Sequence, residues 1–286
     1  MTRPQEALRL VKDELDELVE GLGADEAVHA FAHTLRDGAI AAVRKWHRLD
    51  IEIEHTPPDE PLLIVANHGF GGIVDVNVFA LLAALDEFRP DRPRTLLTHQ
   101  LAWTLGVGGL IEAVGAQPAS RHAALDALAA GHDVIVFPGG DLEAAKSWRD
   151  RDRVLLHGRT GFAQLAIDAG VALLPVVTAG AGETLLVFTD GQQIAGRLGL
   201  GKRLRYKALP ISLSFPWGLS VGAVGLLPYL PLPAKLDTRV LRTVRPNEDD
   251  NAPDVAARVE QAMQDALTDL TRDRRWLRGR PNRSTS

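Results

Sequence analysis

His68 and Asp75 are the pair of residues with the clearest chemical use in this chain. A carboxylate that takes the Nδ1–H of an imidazole fixes the tautomer and leaves Nε2 free as a base toward a hydroxyl. The pair lies in LLIVANHGFGGIVDVNVFALLAAL, where Asn67 and His68 end an apolar run, a glycine-rich turn follows, and a helical pattern begins near Asp75. Two plainer roles compete: Asp75 is a natural helix N-cap, and His68 can simply donate to a nearby carbonyl. Two further runs end in the same manner, DVIVFPGGDLEA at Pro138, Gly139 and Gly140, and TLLTHQ at His99. Glycines at such ends let backbone N–H groups approach an anion or oxyanion, which makes Gly71, Gly72, Gly139 and Gly140 candidates for that role. In an open α/β sheet, ligands collect in the crevice outside the strand carboxyl ends. The three ends serve one chemistry only if their strands are neighbours.

Two other strings fail as motifs. Residues 218–222 read GLSVG and fit a serine nucleophile elbow, but that arrangement needs a histidine after the serine, and all nine histidines lie at or before His157. Residues 196–202 fit a phosphate-binding loop, yet Arg203 stands where the magnesium-binding Ser or Thr belongs and no apolar strand precedes it.

The elements that must position these residues follow from periodicity. Leu8, Val11, Leu15, Leu18 and Val19 share one helical face, and Val28, Phe31, Leu35, Val43 and Trp46 share another, so two helices open the chain. Short apolar runs then alternate with helical patterns. Strands are expected at 51–53, 62–66, 95–98, 113–117, 134–137 and 172–177, with helices at 75–88, from about 101, at 121–130 behind Ser120, and at 160–169 before Gly170. Later strands are read at 184–188, 208–215 and 235–244. A last helix, opened by Pro253 and Asp254, turns Val255, Val259, Met263, Leu267 and Leu270 inward. The order is α/β: residues 1–48 form N-terminal helices, and residues 49–286 one α/β domain that ends in a helix and a basic tail.

Composition bounds the chemistry. The 286 residues carry 32 basic and 37 acidic side chains, a net charge of −5, which argues against broad nucleic-acid binding. With no cysteine, the chain has no thiol nucleophile, disulfide or cysteine-held metal. Charges every few positions near the start oppose a signal peptide, so a cytoplasmic location is expected. Residues 208–234 are uncharged but hold five prolines and three glycines, which opposes a single spanning helix. That stretch reads as a buried strand with a packed loop, or as an apolar lid that meets lipid. Residues 272–286 hold six arginines and one aspartate, a net +5 suited either to a solvated tail or to anionic lipid.

Residues 61–178 resemble the phospholipid/glycerol acyltransferase family, which joins a histidine–aspartate motif, an F-P-[EG]-G block and a later V-P-V-type strand. The matching strings are NHGFGGIVD, VGAQPASR, VFPGGDLEAAKSWRDR, GRTGFAQLAIDAGVALLPVV and, less specifically, PYLPLPAK. The second block resembles the F-P-G-G subgroup, in which bacterial and neutral-lipid acyltransferases fall. The resemblance implies a mixed sheet flanked by helices and O-acyl transfer from acyl-CoA or acyl carrier protein to a lipid alcohol. It implies His68 as base, Asp75 as its partner, and backbone N–H groups near Gly139, Gly140 or the 69–72 turn as oxyanion donors. His99 joins the implied substrate-binding residues. No metal or redox cofactor is implied, and the expected site of action is the inner face of a membrane, held peripherally. Two departures stand out. The family's H-x4-D spacing would put aspartate at Ile73, whereas Asp75 gives H-x6-D. The branch that acylates glycerol phosphates has F-P-E-G-T-R, and Gly139 and Leu142 replace its acceptor-holding Glu and Arg. Glu143, Lys146 and Arg159 are the candidates to compensate. A non-catalytic lipid-binding or transfer protein on the same fold is the alternative, decided by whether His68 and Asp75 come within hydrogen-bond reach.

Overall fold

Strand β2 (Leu63–Ala66) is buried at all four positions, and so is every residue of β6 (Leu173–Ala179) beside it. Unbroken apolar runs of this kind are what strands covered on both faces require. The computed structural model describes residues 24–70, 75–98, 111–191, 210–221 and 229–281. The expected helices at 6–20 and from about 101 lie outside them.

Seven strands form the main sheet: β1 (Asp50–Ile53), β2, β3 (Arg94–Thr98), β4 (Ala116–Pro118), β5 (Asp133–Val136), β6 and β10 (Asp237–Val240). Their order is β1-β10-β6-β2-β5-β3-β4. The block from β6 to β4 is parallel, β10 runs antiparallel to β6, and β1 runs parallel to β10. The chain passes outward from β2 to β3 and β4, returns to β5, then crosses to β6 on the other side of β2. The carboxyl end of β2 therefore sits at the reversal of strand order, where doubly wound sheets open a crevice.

The period of two along β2 assigns its faces. Leu63 and Val65 join a core with α3 (Arg121–Ala129), α5 (Gly161–Ala169) and α6 (Ala252–Thr271), whereas Leu62, Ile64 and Ala66 join α2 (Val76–Phe88) on the opposite side. The result is a mixed sheet flanked by helices. Helix α6 buries Val255, Val259, Met263, Leu267 and Leu270 as its pattern requires, and Asn251 caps it by accepting the Asp254 N–H.

Helix α1 (Ala24–Trp46) forms as expected, but its contact face is rotated. Val28, Phe31, Leu35 and Trp46 are exposed, while Ala32, Ile40 and Val43 are buried. Ion pairs set the rotation: Arg36 meets Asp86 at 2.7 Å and Arg44 meets Glu87 at 2.8 Å, both acids being on α2.

The stretch after residue 208 departs further from expectation. Instead of a buried strand and packed loop, β7 (Leu186–Thr189), β8 (Ile211–Ser214) and β9 (Gly218–Val221) make a separate antiparallel sheet. The GLSVG string thus contributes a strand in which Ser220 pairs with Ser212, which is no nucleophile elbow. The described part of the basic tail is also not free. Arg274 is buried between Glu183 and Asp237, at 2.6 Å from each, and Arg272 and Arg280 approach Asp269. Two buried carboxylates need that guanidinium, so the segment is drawn back onto the fold.

Arg89 and Asp133 brace the amino ends of β2 and β5. Asp133 is fully buried, accepts from the Arg89 Nε at 2.7 Å and Nη2 at 3.0 Å, and also accepts the Leu62 N–H at 3.0 Å. Removing one partner of a buried pair leaves an uncompensated charge, so Asp133→Ala is expected to cost about 3–5 kcal/mol in a denaturant titration. A loss under about 1 kcal/mol would show that water reaches Arg89 in the native state.

Candidate active site

Asn67 extends the ladder past the end of β2. Its buried side chain accepts the Thr178 N–H at 2.9 Å and donates to the Thr178 carbonyl at 3.2 Å, so β2 stays fastened to β6 where backbone pairing ends. Asn77, in the first turn of α2, donates to the Asn67 carbonyl at 2.6 Å. These bonds fix the residue from which His68 projects.

His68 Nδ1 lies 2.8 Å from Asp75 Oδ2. The other oxygen of the same carboxylate accepts the Asn77 N–H at 2.9 Å and caps α2. Asp75 therefore both caps the helix and meets the imidazole, and the H-x6-D spacing leaves the pair in hydrogen-bond contact. The imidazole stacks on Phe137 at the end of β5, with ring centroids 4.6 Å apart, and 16% of the side chain is exposed. Among the described residues Nε2 has no hydrogen-bond partner. An imidazole held at Nδ1, stacked on one face and open at Nε2 is built for proton transfer.

Glu143 is placed where sequence reasoning did not put it. It is fully buried, on the short helix α4 (Gly140–Ala144), and so does not line an open substrate surface. Its Oε2 accepts the His68 N–H at 3.1 Å and its Oε1 the Leu155 N–H at 3.2 Å. A Cβ at residue 139 would overlap this carboxylate, which is a physical reason for glycine there. Lys146 is buried alongside, with Nζ 3.7 Å from Glu143 Oε1 and donating to the Arg153 carbonyl at 2.9 Å. Burial pushes its ammonium pKa down, against the opposing pull of Glu143, Asp152 and Asp75. Neither residue is a solvated helix residue.

The two strand ends do converge, because β2 and β5 are adjacent. Gly140 has φ +55°, a left-handed conformation that favours glycine, and its N–H is taken by the Phe137 carbonyl at 3.1 Å, which withdraws it from the oxyanion role. Among the described residues the Gly139 N–H has no partner. Arg159 ties the turn together, donating to the Pro138 carbonyl at 2.8 Å and to Asp141 at 3.2 Å. Gly71, Gly72 and His99 lie outside the described residues.

Tyr229 is the neighbour that sequence reasoning missed. It packs edge-on against Phe70, with centroids 6.2 Å apart, in a small cluster with Leu185 and Val187. Burial, reinforced by the Asp75 charge, raises its phenol above the usual range. Only the weak PYLPLPAK string pointed to this region.

The acyltransferase family model matches residues 48–179, a span that holds Asn67, His68, Asp75, the 137–143 turn and Arg159. That match makes residues 48–179 an acyltransferase-family segment. An uncharacterised protein of Mycobacterium leprae is 30% identical over 195 residues, covering 67% of this chain and 49% of that one. A human relative, named a DGAT1/2-independent enzyme synthesizing storage lipids, is 28% identical over 215 residues, covering 71% of this chain and 63% of that one. The crystal structure of the 1-acyl-sn-glycerophosphate acyltransferase PlsC from Thermotoga maritima superposes with a TM-score of 0.47 at 17% identity, over 87% of this chain and 82% of that one. The chain spans about half the length of the mycobacterial relatives it matches.

Proposed function

We propose that the protein transfers a fatty acyl group from acyl-CoA or acyl carrier protein to a hydroxyl of a glycerolipid-type or other lipid acceptor. The observation that carries this reading is the 2.8 Å His68–Asp75 contact inside an acyltransferase-family segment. His68 Nε2 removes the acceptor proton as the oxygen attacks the thioester carbonyl. The Asp75 carboxylate stabilises the resulting imidazolium. Backbone N–H groups, that of Gly139 among them, hold the oxyanion of the tetrahedral intermediate. Collapse breaks the carbon–sulfur bond, and the imidazolium returns its proton to the leaving thiolate, giving an ester and a free thiol. No acyl-enzyme forms, and the reaction as proposed uses no metal or redox cofactor. The human relative's name, with its reference to storage lipids, favours a lipid acceptor.

The non-catalytic lipid carrier on the same fold needs a dyad pulled apart, and the His68–Asp75 contact speaks against it. We assign the reaction to the inner face of a membrane, held peripherally, where a lipid acceptor and a cytoplasmic donor meet. No described helix is long and apolar enough to cross a membrane.

Acceptor choice is the direct test. Gly139 and Leu142 stand where the glycerol-phosphate branch has its Glu and Arg. Lys146 is buried, and Arg159 is bound to Pro138 and Asp141. With purified protein and labelled acyl-CoA, glycerol 3-phosphate is expected to be a poor acceptor beside monoacylglycerol, diacylglycerol, lysophospholipid or glycolipid. A strong preference for glycerol 3-phosphate would show that Arg159 leaves its turn to bind phosphate. No transfer to any acceptor, from acyl-CoA or from acyl carrier protein, would overturn the reading.

A further inference from the structure

The small sheet β7–β8–β9 has its polarity reversed. Pairing places Ser212 opposite Ser220 and opposite Val187, so these share the inward side, where Ser212 and Val187 are buried. The alternate residues point outward, and they are apolar: Leu213 lies opposite Leu219, and Val221 opposite Ile211. Leu219 is 68% exposed and Phe215, at the tip of the β8–β9 hairpin, 67%. Phe188, Trp217 and Val221 are exposed with them. A solvated antiparallel edge sheet shows the opposite pattern, polar outward and apolar inward. A contiguous apolar face of this kind marks an interaction surface.

Charge identifies the occupant. From residue 191 to residue 234 the sequence has no acidic residue and five basic ones, Arg197, Lys202, Arg203, Arg205 and Lys207, all between β7 and β8. An uninterrupted basic sequence joining two strands of an outward apolar face, with tryptophan and phenylalanine at the hairpin tip, matches an anionic lipid surface, to which each base contributes about 1 kcal/mol near the headgroups. Of the described arginines of the C-terminal tail, Arg272, Arg274 and Arg280 are paired with acids of the fold, which leaves Arg275 and Arg278 to add to the basic charge.

The inward side leads to the dyad. Val187 of β7 packs with Phe70, two residues beyond His68, and with Tyr229. Leu230 is bridged to Phe215, its N–H donating to the Phe215 carbonyl at 2.9 Å. We propose that the outward face of β7–β8–β9 is the surface by which the protein lies on an anionic bilayer, so that a membrane-held acceptor reaches His68 from that side. The second half of this statement rests on the acyl-transfer reading; the docking itself does not.

The test uses the full chain with vesicles of phosphatidylcholine alone and of phosphatidylcholine mixed equally with phosphatidylglycerol. Wild type is expected to cosediment with the anionic vesicles and to be released as salt rises, because screening shortens the reach of surface charge. Leu213→Ser with Leu219→Ser is expected to lower vesicle partition by at least about tenfold, since two exposed leucines lose their transfer into the lipid boundary. Because both side chains already face water, circular dichroism and the melting temperature are expected to stay near wild type. As a second measurement, Trp217 emission shifts to the blue on anionic vesicles, and Trp217→Phe removes that shift. His68→Ala binds vesicles like wild type while losing transfer, which separates docking from chemistry. The leucine variant keeps transfer to a short-chain acceptor dissolved as monomer. Vesicle binding unchanged in the leucine variant, wild type that ignores anionic vesicles, or a dimer in solution that the leucine variant splits without any lipid effect would each overturn the proposal.

Discussion

Replacing His68 with alanine is expected to lower acyl transfer by about 10²–10⁴-fold, the usual contribution of a positioned general base. The geometry argues that the loss is chemical. The imidazole is held at Nδ1 by Asp75, at 2.8 Å, and against the Phe137 ring, while Nε2 has no partner among the described residues. What holds the backbone in place does not involve the ring: the His68 N–H is bound by Glu143, and Asn67 is locked to Thr178. His68→Ala therefore keeps its strand end, and donor binding and the melting temperature are expected to stay near wild type. Single-turnover transfer from labelled acyl-CoA, beside equilibrium donor binding, separates the two effects. Turnover near wild type would remove His68 from the mechanism.

Where local pattern and tertiary packing agree, the fold is legible in the sequence. The runs around residues 62–66, 134–137 and 172–177 are apolar throughout, a pattern expected of strands covered on both faces, and they appear side by side as β2, β5 and β6. The pattern misleads where a long-range force sets orientation. On α1 the apolar stripe through Val28, Phe31 and Leu35 is real, but the Arg36–Asp86 and Arg44–Glu87 pairs turn a different face to α2, and no periodicity within one helix encodes a partner's charges. In residues 211–221 the alternation of apolar and serine residues was visible, yet alternation cannot say which side faces the core. A hydrophobic residue is assumed to point inward, and here it points out.

The site divides in the same way. His68, Asp75 and the Pro138–Gly140 turn were readable because their types and local spacing carry the chemistry, and strand adjacency then brought the turn beside the dyad. Glu143 shows what local pattern leaves out. A charged residue in a short helix is ordinarily solvated, and its burial depends on three features far apart in sequence: the glycine at 139, the His68 N–H and the Leu155 N–H. Tyr229 has only the weak PYLPLPAK string to signal it, since its edge-on contact with Phe70 is made across the chain and no local pattern encodes it.

Asp75→Asn tests the shared carboxylate, and transfer is expected to fall well over tenfold, though by less than with His68→Ala. Asparagine still offers one oxygen to the Asn77 N–H, so the cap of α2 persists and the stability loss stays under about 1 kcal/mol. The amide then presents an NH₂ to His68 Nδ1, where the carboxylate presented Oδ2 at 2.8 Å. An imidazole whose Nδ1 must accept carries its proton on Nε2, and that nitrogen can no longer receive one from the acceptor hydroxyl. The imidazolium also loses the charge that stabilised it. Asp75→Ala removes both functions, so it should add a cap loss of about 0.5–2 kcal/mol to the same loss of rate. Comparing the two variants by melting temperature and by single-turnover rate separates the roles: a shared rate defect with unequal stability assigns the chemistry to the carboxylate charge. An asparagine variant as active as wild type would leave Asp75 as a helix cap alone, with His68 working unassisted.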